Sequence, residues 1–417
     1  VGLGIAIVCA IAAGMPHPDR VLYVDQRHPN AADSNPGTAG RPLRTIAAAT
    51  QIVRPGDKVL VRAGTYSEAE EPMSRGVVMD RSGRPGAWIV FQAYPGERPL
   101  VRAAAWSVFE VRDAAYVEIA GFEITTDEVT GNPDPNLNGN VGAGITFTRS
   151  HHVKATNNIV RDCGGGGIGS GHSNFIRIEG NTVFNTSWGN IYNCSGISLW
   201  EGRDFPDGKH GWPDEPRFDN IIRSNRSFSN ENRRATPLYG GQLTDGNGII
   251  IDFFRVKGWT LVENNLCYNN GGRGLHVFES HRVVLRNNTS AWNCRTQKGD
   301  ADCRANTASD ILYANNLVVA RPGQTFVKNH KPGPGVVYRS NLLAGFLDIT
   351  EPALHGNGNL VATEADFLSA DSGNPDLRIG AGSPALDRAS ASDASVQDIE
   401  GNRRPVGRGS DIGAYER

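Results

Sequence analysis

The chain has 417 residues, of which 39% are hydrophobic and 21% charged, and its formal net charge is −2. So even a balance offers no general basic field: nucleic acid is a poor partner, and any acidic ligand must be met by local positive charge. Fifty glycines, 8% aromatics and three methionines suit a turn-rich β protein, and no helical heptad run appears.

Residues 1–20 open with VGLGIAIVCAIAAG, an apolar stretch ending in small residues. It reads as the remainder of a secretory signal, too short to span a bilayer comfortably, with a buried N-terminal strand as the alternative. Export would place the protein outside the cell or in the periplasm. It would also permit a disulfide, and Cys294 and Cys303 bracket a polar loop that one bond could close. Their spacing matches no zinc pattern, and Cys163, Cys194 and Cys267 fall at strand or turn positions as packed small residues.

Residues 21–110 read as an entry cap with the first coils. Tyr23-Val24-Asp25 begins a strand, Thr45 caps a short helix through Val53, and Pro55-Gly56-Asp57 turns into a strand over 58–62. A helix across the mouth of a stacked structure covers its open end.

Residues 111–350 repeat. Asn158, Asn181, Asn225, Asn265, Asn288, Asn316 and Asn341 are separated by 23, 44, 40, 23, 28 and 25 residues. Gaps of 23 to 28 are one coil of a β-solenoid, and the two long ones are a coil with an insertion or a coil that has lost its asparagine. Aligning the coils on Gly144, Gly167, Gly196, Gly248 and Gly274 makes the next residue Ile145, Ile168, Ile197, Ile249 and Leu275. That column must point inward, and the next one, Thr146, Gly169, Ser198, Ile250 and His276, outward. The asparagines suit a tight bend, where Asn tolerates left-handed backbone and its amide can bond along the stack. The expected fold is all-β, a single-stranded right-handed parallel β-helix (solenoid) with an N-terminal capping helix, closed by residues 351–417. The entry segment and the exit motifs Gly382-Ser383-Pro384-Ala385 and Asp411-Ile412-Gly413-Ala414-Tyr415-Glu416 resemble those of secreted parallel β-helix proteins of the pectate-lyase-like superfamily.

Chemistry is sought where coils leave the template. Glu201, Arg203, Asp204, Asp207, Lys209, His210, Trp212, Asp214 and Glu215 lie within 15 residues, a charged and aromatic loop that could wall a carbohydrate groove. Downstream, Asp245 stands in the turn before a strand, and Asp252 falls in an outward column with Trp200 and Phe278. A carboxylate desolvated by such neighbours suits proton transfer. The next coil adds Arg273, His276 and Glu279, so stacking gathers Trp200, Glu201, Asp252, His276 and Glu279 into one patch.

The segment from Asn247 to Glu279 resembles the catalytic coils of family-nine pectate lyases, whose pattern is Asp-Asp-Gly-x-Asp for calcium and then Gly-x-Gly-x-Lys for the base. Here the calcium pattern falls on Gly246, Asn247, Gly248 and Ile250, so three expected carboxylates are absent, and His276 stands at the lysine. The resemblance implies β-elimination on a uronic-acid polysaccharide, with His276 as base, Arg273 as the leading neutraliser of the sugar carboxylate, and Arg255 and Lys257 as further cations. The carboxylates Glu201, Asp245, Asp252 and Glu279 alternatively supply a pair for hydrolysis. A non-catalytic glycan-binding β-helix is the third reading. Trp200, Glu201, Arg255, Lys257 and Trp212 are the expected substrate contacts, and the partner is an acidic polysaccharide.

Overall fold

The computed structural model describes residues 20–68, 75–132, 134–205, 210–237, 240–345, 354–371 and 373–417. The proposed signal segment with Cys9, and Asp207 and Lys209 of the charged loop, lie outside the described residues.

Among the described residues the chain winds through three long parallel sheets. Sheet I has eleven strands, from Val21–Val24 to Val336–Arg339; sheet II has nine, from Val77–Met79 to Thr325–His330; sheet III has eleven, from Thr65–Ser67 to Leu360–Ala362. Each coil passes from sheet II to sheet I to sheet III, and each strand pairs in parallel with its counterpart one coil away. This is the right-handed parallel β-helix expected from the repeat.

The inward column is as read: Ile145, Ile168, Ile197, Ile249 and Leu275 are Cα partners in sequence, and all are buried. Each such side chain contributes roughly 1.5–3 kcal/mol by leaving water, which offsets the entropy of ordering its coil. Both long asparagine gaps are single coils with insertions, because Asn181 bonds directly to Asn225 and Asn225 to Asn265.

The asparagines form a continuous buried ladder at the corner between sheets I and III. The side-chain oxygen of each accepts from the backbone N–H and the amide of its neighbour, as when Asn265 Oδ1 takes 2.9 and 3.0 Å bonds from Asn225. Asn359 extends the ladder one coil further. One detail differs from expectation. The left-handed conformation belongs to the preceding residue, at Asn157, Ser224, Asn264, Asn287, Asn315 and Ser340, with φ between 49° and 55°. The ladder residue itself points inward, and its amide also donates to a backbone carbonyl, as Asn265 does to Ile222. A second ladder, Asn230, Asn270, Asn293 and Asp302, runs up the corner between sheets III and II.

The cap forms as its residues dictate. Thr45 accepts from the Ala48 N–H at the start of helix Ile46–Ile52, Glu68 accepts from Ile46 and Ala47, and Ile46 and Ala49 are buried against the first coil. The C-terminal segment runs back along the side of the rod. Its backbone is held by the left-handed corner residues, through Asn315 to Ser390, Asn287 to Ser395 and Asn264 to Gln397. A buried Arg404–Glu416 pair at 2.7 Å fastens its end.

The proposed Cys294–Cys303 disulfide is not formed; both are buried free thiols. Cys303 lies in the inward column above Leu275, whereas Cys294 sits in a turn and donates to the Ala301 carbonyl at 3.2 Å.

Candidate active site on the outer face of sheet II

Two outward columns run along sheet II. One reads Glu110, Thr146, Gly169, Ser198, Ile250, His276, Arg304 and Lys328; the other reads Arg112, Thr148, Gly171, Trp200, Asp252, Phe278, Asn306 and His330. The residue after the second column turns the chain toward sheet I. It has positive φ in the eight coils from Ser107–Arg112 onward, at Asp113, Arg149, His172, Glu201, Phe253, Glu279, Thr307 and Lys331, with values of 41° to 51°. Such backbone costs an L-residue about 1–2 kcal/mol. The inter-coil hydrogen bonds that continue through the corner, such as Glu201 N–H to Asp252 O at 3.0 Å, hold it in place. The consequence is a rim of splayed, mostly charged side chains beside the second column.

Asp252 stands where the two features meet. Trp200 is its partner in the preceding coil and Phe278 in the next, and burial against them pushes its carboxyl up to about 7, assisted by repulsion from Asp245, Glu201 and Glu279. Trp200 is 41% exposed and leaves an aromatic face open. Beside it lies a cleft of about 440 Å³ lined by Arg149, His172, Glu201, Gly202, Arg203, Phe253 and Arg255. Arg255 binds Glu279 at 2.5 Å, Arg149 binds Asp113 at 2.6 Å, and His172 approaches Glu201 at 3.5 Å. Lys257 is exposed, does not line this cleft, and is tied through its backbone to Asp204.

His276 lies in the outward column, diagonal to Asp252, but it is not exposed as expected: only 4% of it reaches solvent. Neither ring nitrogen has a hydrogen-bond partner. Burial and the positive charges of Arg273 and Arg304 hold its pKa well below the usual histidine value, so the ring is neutral. Arg273 is also less free than a carboxylate neutraliser should be, because it is buried and paired with Asp300, which bridges to Arg304 at 2.7 Å. Those two charges hold Asp300 below the usual carboxylate range against the opposing effect of burial. Nε of both arginines remains unpartnered. Asp245 is raised by burial, and its carboxylate accepts from Thr244 and Asn247 at 2.9 Å.

Trp212 must be moved out of the site. It is buried on sheet I with Phe175 and Phe218, stacks on Trp88 at 6.0 Å, carries Arg177 over its ring and donates to the Asp219 carbonyl. The charged loop therefore divides: Glu201 to Arg203 border the cleft, whereas His210 to Glu215 fold onto the neighbouring sheet. Large apolar rings find more area to cover there than at an open groove. His172, Arg149, Asp300 and Arg304 were missed by the sequence reading, although the coil alignment, extended one position past the strand, would have found the first two.

The calcium positions carried over by resemblance do not fit that ion. Gly246 and Gly248 have no side-chain donors and Ile250 is apolar. Asn247 is already bonded to Ser195, Asp245 and the Arg273 backbone. Among the described residues no group of three or more His, Cys, Asp or Glu side chains could hold a metal ion.

Residues 22–198 match a family model described as a Pel9A-like, right-handed beta helix region, and the later coils continue the same rod. The crystal structure of pectate lyase Pel9A superposes with a TM-score of 0.58 at 18% identity, covering 96% of this chain and 97% of that one. A glycoside hydrolase gives 0.54 at 8% identity over 83% and 96%, and XylC in complex with xylose gives 0.51 at 13% identity over 95% and 98%. The uncharacterized protein YwoF of Bacillus subtilis (strain 168) is 35% identical over 80 residues, which is 19% of this chain and 15% of that protein. These likenesses establish a right-handed parallel β-helix. No helix among the described residues is long and apolar enough to cross a membrane.

Proposed function

We propose that the protein is a secreted or periplasmic polysaccharide lyase that cleaves a uronic-acid-containing polymer laid along the outer face of sheet II. The observation that carries this is Asp252, a carboxyl pushed up to about 7 by burial, which pairs with the open Trp200 and precedes Phe253 in the lining of a cleft that also holds three arginines and one glutamate. A group half-ionised at neutral pH is suited to removing the proton next to the sugar carboxylate. Arg149, Arg203 and Arg255 supply the positive charge that favours the carboxylate and its enolate-like intermediate. His276, sealed and neutral, is reassigned from base to positioning residue beneath the groove, together with Arg273 and Asp300. The architecture shared with pectate lyase Pel9A supports the reading at the level of fold.

Hydrolysis is the second reading, favoured by Glu201 and Glu279 in the coils on either side of Asp252, close enough to raise its pKa. Incubation with polygalacturonate and alginate separates the two. Elimination yields unsaturated ends absorbing in the ultraviolet, and hydrolysis yields reducing ends without that absorbance. The pH profile gives an independent answer, because kcat/KM rises through about pH 7 if Asp252 is the base and falls through it if Asp252 donates the proton. Binding of these polymers without cleavage would remove the enzymatic reading in favour of a glycan-binding rod.

A further inference from the structure

The groove is built unequally on its two sides of Asp252. Beyond Ile250, which is level with Asp252, the first outward column carries His276, Arg304 and Lys328 toward the C-terminal end, while toward the N-terminal end it carries Ser198, Gly169 and Thr146 before reaching Glu110. A Cβ on Gly169 would meet nothing nearer than the Ser198 carbonyl oxygen at 3.9 Å, so the floor there is low and open. Thr146 donates to Ser107 at 2.9 Å, which joins this floor to the rim where sheet III turns into sheet II.

On that rim stand two exposed rings. Trp106 is 39% exposed and Tyr192 42%, and they meet edge to face with centroids 5.5 Å apart. They come from different coils. Trp106 precedes the strand Ser107–Arg112, whereas Tyr192 belongs to the insertion before Ile197–Trp200. That insertion is bent back toward the N-terminal end by Asn190 Nδ2 donating to the Val141 carbonyl at 2.9 Å and Gly189 N–H donating to Gly164 at 2.7 Å. Their mutual contact steadies the two rings, yet each keeps about two fifths of its surface in water. A ring face open to solvent is what a sugar ring covers.

We infer that Trp106 and Tyr192 form a distal stacking platform for the polysaccharide, so that the substrate runs from Asp252 over the low floor toward the N-terminal end of the rod. This rests on the reading of the sheet II face as a polysaccharide groove. Four coil steps separate the strands at Trp106 and Asp252, about 19 Å along the axis. A single sugar cannot bridge that distance. The protein therefore selects oligomeric or polymeric substrate and cleaves away from the end of the chain that occupies the platform.

Affinity electrophoresis in gels carrying polygalacturonate, alginate or xylan tests this, with Asp252→Asn as the parent so that no polymer is cut. At least one polymer should retard the parent. Adding Trp106→Ala or Tyr192→Ala should weaken that retardation constant about tenfold, Trp106→Phe should largely preserve it, and the affinity gained between trisaccharide and hexasaccharide of that polymer should disappear. Retardation that Trp106→Ala and Tyr192→Ala both leave unchanged, or that is absent on a polymer the wild type cleaves, overturns the platform alone. If the wild type cleaves none of the three and the parent binds none, the groove reading itself falls, and the platform with it.

Discussion

The asparagine ladder between sheets I and III and the rim of sheet II are made by the same operation, the stacking of coils, yet they treat polar groups in opposite ways. In the ladder every amide finds its partner one coil away, so a buried polar column becomes a source of rigidity. On sheet II the column changes identity from coil to coil. Asp252 is left against aromatic carbon, and His276 keeps two unpartnered nitrogens. A repeat satisfies itself only where it repeats, and the places where it does not are those available for chemistry.

Substitutions should separate the two columns. The largest effect is expected from Asp252→Asn, which should lower kcat about a thousandfold, within the range for loss of a general base, without loss of fold. Its effect on stability has a definite sign. The folded pKa of Asp252 lies above that of the free side chain, so its contribution to stability is full below about pH 4 and is lost as pH rises through about 7. Asp252→Asn should therefore raise Tm at pH 8 and change it little at pH 4, and a lower Tm at pH 8 would contradict the desolvated site.

Trp212→Ala removes a buried ring from the cluster on sheet I and should cost about 3 kcal/mol in denaturant unfolding while kcat of the folded enzyme stays at the wild-type value. A selective fall in kcat would return Trp212 to the site. Asn265→Ala breaks bonds to Asn225, Asn288 and Ile222 and should cost about 2 kcal/mol, again with no change in the pH profile. The smallest effect belongs to Arg255→Ala, which frees Glu279 on the exposed rim. It should raise KM severalfold and move the acidic limb of the rate profile slightly upward, as the released charge repels the ionised form of Asp252. Chelation by EDTA should leave the rate unchanged, in keeping with the residues at the calcium positions.

Much of the rod was legible. Ile145, Ile168, Ile197, Ile249 and Leu275 announce a common inward position, and Asn158 through Asn341 announce a common corner. The second ladder was not seen, although Asn230, Asn270 and Asn293 each stand five residues after Asn225, Asn265 and Asn288, because it spans only three asparagines before ending on Asp302. Of the candidate site, the neighbours of Asp252 followed directly from register. The burial of His276 did not, since the aligned position says which way a side chain leaves the sheet and nothing about what lies over it. Trp212 shows the same gap: a loop rich in charge and aromatics can wall a groove or roof an adjacent sheet, and composition is identical in the two cases.

The sequence by itself determined the coil, its length, the inward columns and the asparagine corner, because those depend on side-chain alternation and on contacts that recur at a fixed interval. Only the tertiary structure decided that Asp252 is desolvated, that Arg273 is bound to Asp300, that the cysteines remain apart and that Trp106 meets Tyr192. Those facts depend on where the insertions fold, and insertions are the parts of a repeat protein whose contacts no period dictates.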